Sequence, residues 1–114
     1  MVLFDKAAFD SLIDRDKELF AELLQLYATE YPKILIDLAA AIQKSDLHAV
    51  EILAHRLRGM VRNFFAPVLA DRAEEIEDGG RDGDLKDVPA KLEMLAGELR
   101  QLEAELTHHL GTYP

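Results

Sequence analysis

Val50-Glu51-Ile52-Leu53-Ala54-His55-Arg56-Leu57-Arg58-Gly59-Met60-Val61-Arg62-Asn63-Phe64 repeats its apolar side chains at steps of three and four. At about 100° per residue, Val50, Leu53, Leu57, Met60, Val61 and Phe64 gather within roughly 100° of arc. That period fits an α-helix with one buried face and does not fit a strand, which alternates every residue. On the same wheel His55 falls about 175° from the centre of the stripe. Arg58 at i+3, Gly59 at i+4 and Arg62 at i+7 share its side. The helix is therefore predicted to present His55 to solvent, flanked by two arginines and a glycine.

Outward from this segment the same period recurs, and the punctuation divides the chain into about five helices. The first spans about Asp5 to Ile13 and stops at Asp14-Arg15-Asp16, where an Asp can cap the next. The second runs from about Lys17 to Lys44, with Leu19/Phe20, Leu23/Leu24, Tyr27, Tyr31, Ile34/Leu35, Leu38 and Ile42 recurring at three- and four-residue steps. Pro32 inside it is expected to kink or divide the helix, because it removes a backbone donor. Ser45-Asp46 caps the third, from about Leu47 to Val61. After a break at Asn63–Ala66, Pro67 suits the first turn of a fourth helix ending at Asp78-Gly79-Gly80. Arg81-Asp82-Gly83-Asp84 reads as a solvated turn, and the fifth helix runs from Leu85 or Asp87 to about His109.

Composition agrees. Leu and Ala number 34, against 14 for Val, Ile and Thr together, and unbranched side chains keep more rotamer freedom in a helix. The expected fold is all-α, an antiparallel four-helix bundle with a short additional N-terminal helix. The 114 residues suit one domain, expected over 1–114. With no Cys there is neither a disulfide nor a thiolate metal cluster. A formal charge of −9 argues against nucleic acid as a partner, since phosphate binding needs a basic face. No apolar run approaches the roughly 18–20 residues of a membrane span, and no signal-peptide pattern opens the chain. A cytoplasmic monomer without membrane attachment is expected.

The charge is unevenly spread. Between Glu51 and Asp71 there is no acid but there are Arg56, Arg58 and Arg62, so this segment carries +3 and the rest of the chain −12, which together make −9. A cationic spot on an acidic protein suits a phosphoryl group or a carboxylate. Gly59 is the second anomaly, since glycine inside a helix costs about 0.8–1 kcal/mol relative to alanine. One turn from an exposed histidine, it leaves room for another molecule to approach the imidazole.

Ala54-His55-Arg56-Leu57-Arg58-Gly59 resembles the A-H-x-L-K-G signature of histidine-containing phosphotransfer (HPt) domains. Asp46-Leu47 upstream fits as well, and Glu77-Asp78-Gly79-Gly80-Arg81-Asp82-Gly83-Asp84-Leu85 is similar to the family's L-E-x-x-G-R-x-G-D-L stretch. The likeness covers roughly Leu19 to Leu106. It implies a phosphorelay carrier without kinase activity of its own. His55 would accept a phosphoryl group from the phospho-aspartate of one response-regulator receiver domain and pass it to another. Arg58, where the family usually has Lys, would stabilise the phosphoryl group, while Gly59, Arg62 and Glu51 would meet the partner. The partners implied are receiver domains, including those of a hybrid histidine kinase. No cofactor is implied on this chain, and Mg2+ is expected on the receiver.

The residue types suit that role. A neutral imidazole can attack through one ring nitrogen, and phosphoryl transfer mainly needs in-line positioning and charge neutralisation. No glycine-rich loop for ATP occurs. Two departures stand out: Met60-Val61 follows the glycine where small residues are usual, and Phe65-Ala66 replaces a Gly-Ala pair. Their bulk favours an alternative in which the same bundle is a non-transferring adaptor or inhibitor of a histidine kinase or receiver. A third reading, a metal-binding bundle, rests on Glu105-Leu106-Thr107-His108. Di-metal bundles need a second Glu-x-x-His and two further carboxylates, so no metal site is expected. His48 is expected to be solvated, His108 and His109 to lie in a frayed terminus, Phe64 and Phe65 in the core, and Gly97 at a close helix contact or nowhere special.

Overall fold

A computed structural model describes residues 3–113, and those residues form five α-helices and no strand. They are α1 (Lys6–Arg15), α2 (Lys17–Gln43), α3 (Leu47–Arg62), α4 (Pro67–Asp82) and α5 (Val88–Thr112). Aspartates open the first three. Asp5 accepts from the Ala8 N–H at 3.2 Å, Asp16 from Leu19 at 2.9 Å and Asp46 from Ala49 at 3.2 Å, each satisfying one donor that a helix start leaves unpaired. Pro67 begins α4, where its missing N–H costs nothing.

The helices α2 to α5 form the antiparallel bundle, and α1 packs on α2. Lys17 at the start of α2 donates to the Tyr113 carbonyl just beyond α5, whereas Leu35 and Ile42 share a groove with Pro89 and Leu92 near the start of α5, so the two long helices run in opposite directions. The core is filled by residues such as Phe9, Phe20, Leu38, Leu57, Leu69, Ile76, Leu95 and Leu102. Tyr27 ties α2 to α5: its hydroxyl donates to the Leu99 carbonyl at 2.8 Å, and its ring lies 5.2 Å from that of Phe64. Burial raises its pKa.

Three sequence expectations are corrected. Of the two outcomes expected at Pro32, division of α2 does not occur: the helix continues through it with the proline on the exposed side. Nor does α4 stop at Gly79-Gly80. It continues to Asp82 and ends at Gly83, whose φ of 76° is the left-handed conformation that caps a helix. The two glycines serve packing instead. A Cβ on Gly80 would stand 2.7 Å from the Glu51 nitrogen and 2.8 Å from the Leu47 carbonyl oxygen of α3. A Cβ on Gly79 would stand 2.8 Å from the Asp84 carbonyl oxygen. The helices and the following loop close to distances only a missing side chain permits. Third, His109 is not frayed: its Nε2 lies 2.6 Å from Asp10, and its ring meets Phe4 and Phe9 edge-on, because side chains of α1 and of the residues before it reach the end of α5. His48 is exposed as expected, and His108, though exposed, lies within α5 rather than in a frayed end. Gly97 has open space where its Cβ would be, so it marks no close contact.

Candidate functional site

The site lies on the seam between α3 and α4. The two helices run antiparallel in a register that sets Arg58 against Glu74, His55 against Glu77, and Glu51 against Gly80. Gly80 fixes how closely they approach, and Glu77 stands one turn before it. The close approach therefore brings a carboxylate of α4 to the histidine of α3.

His55 is exposed over 62% of its side chain, whereas Glu77 is exposed over 9%. The Glu77 Oε2 lies 3.0 Å from His55 Nδ1. Arg58 Nη2 lies 2.9 Å from the same nitrogen. These neighbours ask for opposite states, since a carboxylate needs a proton on Nδ1 and a guanidinium needs a lone pair there. We assign the proton to Nδ1, donating to Glu77, because an unprotonated nitrogen against a buried carboxylate sets two lone pairs face to face. The neutral ring then carries its lone pair on Nε2, on the opposite edge from the carboxylate.

Arg58 is exposed over only 18% and divides its three nitrogens among three partners. Nε lies 3.3 Å from Glu77 Oε1, Nη1 lies 3.7 Å from Glu74 Oε1, and Nη2 faces the ring. Glu77 Oε1 is buried and has no hydrogen bond among the described residues, so the adjacent guanidinium supplies its charge compensation. A planar fork can span the two carboxylates of α4 where a lysine ammonium offers one point charge, which gives a physical reason for Arg in this context.

Gly59 has no atom within 4 Å of where its Cβ would stand, so the space one turn above His55 is open. Arg62 is exposed and has no ion-pair partner among the described residues. Glu51 makes no hydrogen bond or ion pair with His55 or Arg58. It is half-buried one turn below, within the electrostatic reach of Arg81. Arg81 itself pairs with Asp78. Met60 and Phe65 pack against the core. Phe65 adopts a left-handed φ of 56°, and its carbonyl accepts from the Asp5 N–H at 2.9 Å.

Glu74 and Glu77 were not singled out by sequence reasoning as site residues. The cationic spot counted along the chain is consequently thinner in space, since α4 sets two carboxylates against Arg58, one of its three arginines. A signal for Glu77 exists: Ala70, Ala73 and Glu77 follow helical spacing on the buried face of α4, and a carboxylate placed there requires a partner. Glu74 carries no such signal. Among the described residues no group of three or more side chains is arranged to hold a metal ion, and Glu105 instead accepts from the Leu3 N–H and from Gln101. No helix among them is long and apolar enough to cross a membrane.

Residues 22–107 match the family model described as Hpt domain. The solved structure of histidine-containing phosphotransfer protein B (HptB) from Pseudomonas aeruginosa PAO1 is similar to this fold with a TM-score of 0.89. The two sequences are 26% identical, and the match covers 98% of this chain and 97% of that one. No curated protein is significantly similar to the chain in sequence.

Proposed function

Given that this chain belongs to the Hpt domain family, whose members carry phosphoryl groups in phosphorelays, we propose that His55 accepts the phosphoryl group through Nε2 and passes it between receiver domains. The observation that carries this reading is the contact between His55 Nδ1 and the buried Glu77 at 3.0 Å. It turns Nε2 outward as the nucleophilic edge of an exposed ring, with open space above Gly59 for a partner.

In the forward step the Nε2 lone pair forms the P–N bond as the acyl P–O bond of the donor breaks. The electron pair leaves with the donor aspartate carboxylate. The ring retains its Nδ1 proton and becomes cationic, and Glu77 faces that charge as the buried aspartate of a catalytic triad faces its histidine. Arg58 and, at longer range, Arg62 neutralise the phosphoryl oxygens. The chain contributes no cofactor, and the Mg2+ belongs to the receiver. Gly59 and Glu51 line the approach of a monomeric carrier to that partner, which includes the receiver of a hybrid kinase.

The test is incubation with a phosphorylated receiver. Acid-labile label on the wild type, lost in His55→Gln, is the expected result. Label that persists in His55→Gln, or its absence with every receiver tried, would refute the proposal.

A further inference from the structure

The three contacts of Arg58 are unequal. Nε faces the buried Glu77 at 3.3 Å and Nη2 touches the ring at 2.9 Å. The contact of Nη1 with Glu74 is the longest, at 3.7 Å, and Glu74 is exposed over 46% of its side chain. The Glu74 arm is thus the most hydrated of the three and the one most readily exchanged. A phosphoryl group on Nε2 brings nearly two negative charges to the other edge of the ring whose Nδ1 edge Arg58 faces, so the guanidinium must turn toward it. It attracts the guanidinium more strongly than one solvated carboxylate does.

Resting on the phosphoacceptor reading above, we propose that Glu74 is a positioning residue that competes with the phosphoryl group for Arg58. Glu74 holds Nη1 while His55 is unmodified and gives it up when His55 is phosphorylated. The contact has to be broken each time the group arrives and is regained each time it leaves. Glu74 therefore lowers the stability of phospho-His55 and favours handing the group on. Arg62, on the same face and without an ion-pair partner among the described residues, has no such competitor.

The stability of phospho-His55 can be measured without a receiver by equilibrating the whole chain with phosphoimidazole. The P–N bond of the donor breaks, the P–Nε2 bond forms, and imidazole leaves with the electron pair and takes a proton from solvent. Phosphorus NMR reads the equilibrium constant. Glu74→Gln is expected to raise it about two- to fivefold, the range set by one partly exposed ion pair. Glu75→Gln removes the same charge from the same helix, from a residue near Lys91 rather than Arg58, and should leave the constant unchanged. In an Arg58→Ala background, Glu74→Gln should have no effect.

An unchanged constant in Glu74→Gln overturns the proposal. So does an increase that survives in the Arg58→Ala background, which would mean direct repulsion. If the shift is seen but no receiver exchanges phosphate with the chain, the relay reading falls and the role of Glu74 stands. If relay activity is seen with no shift, the relay reading stands and the role of Glu74 falls. Failure of wild-type His55 to load at all overturns both.

Discussion

Two glycines one turn from the site should respond oppositely to the same substitution. In Gly59→Ala the new methyl meets nothing within 4 Å, so the change acts through helix propensity alone and stabilises by about 0.8–1 kcal/mol. In Gly80→Ala the methyl would stand 2.7–2.8 Å from backbone atoms of Glu51 and Leu47. Backbone cannot rotate away as a side chain does, so α3 and α4 must separate. Such overpacking costs up to about 3 kcal/mol. The gain in propensity offsets about 1 of that, for a net loss of about 2 kcal/mol. An unfolding entropy of about 2.1 cal/mol/K per residue makes 1 kcal/mol worth about 4 °C in a chain of this length. Thermal unfolding by circular dichroism should therefore show Gly59→Ala about 3–4 °C above wild type and Gly80→Ala about 8 °C below it. Function should not follow stability. Gly59→Ala is expected to slow phosphoryl exchange with a receiver by obstructing the approach to His55, despite its higher Tm. A Gly80→Ala protein as stable as Gly59→Ala would refute the argument that the glycine sets the distance between the helices.

Glu77→Ala, which removes the acceptor facing Nδ1, is expected to slow His55 phosphorylation on the order of tenfold or more, through loss of the favoured tautomer and of the charge facing the cationic ring. Glu77→Gln keeps an oxygen for the Nδ1 proton and should lose less. Nitrogen NMR of the imidazole would show the tautomer shift in the alanine variant, and an unchanged ring spectrum there would contradict the assignment. At alkaline pH the sign follows from Tyr31, whose hydroxyl is pushed up to about 12 by burial and then by its bond to Glu103. An unfolded tyrosine ionises near pH 10, so this contribution to stability is complete below about pH 10 and is lost as pH rises toward about 12. Tm measured from pH 9 to 12 should fall less steeply in Tyr31→Phe, and an identical slope would count against the assignment.

The sequence made the helices readable because their signals are local. The stripe through Val50, Leu57 and Val61, the caps at Asp16 and Asp46 and the proline at residue 67 each act within a turn or two. Gly79-Gly80 misleads for the same reason. Within one helix a glycine pair looks like a terminus, and only the neighbouring helix reveals it as a contact. His109 misleads likewise, since its partner Asp10 lies 99 residues away.

By itself the sequence determined an all-α bundle, an exposed His55 opposite an apolar stripe, and a family signature around it. Tertiary structure alone decided which nitrogen of that histidine faces outward and what holds it. Those depend on Glu77 and Glu74 of α4 meeting α3 in one register, at the approach that Gly80 allows. Periodicity is written along a chain, whereas register between helices is a property of how two surfaces fit. The −9 of the composition and the three arginines near His55 were both legible, but the carboxylates that temper Arg58 reach it only through the fold.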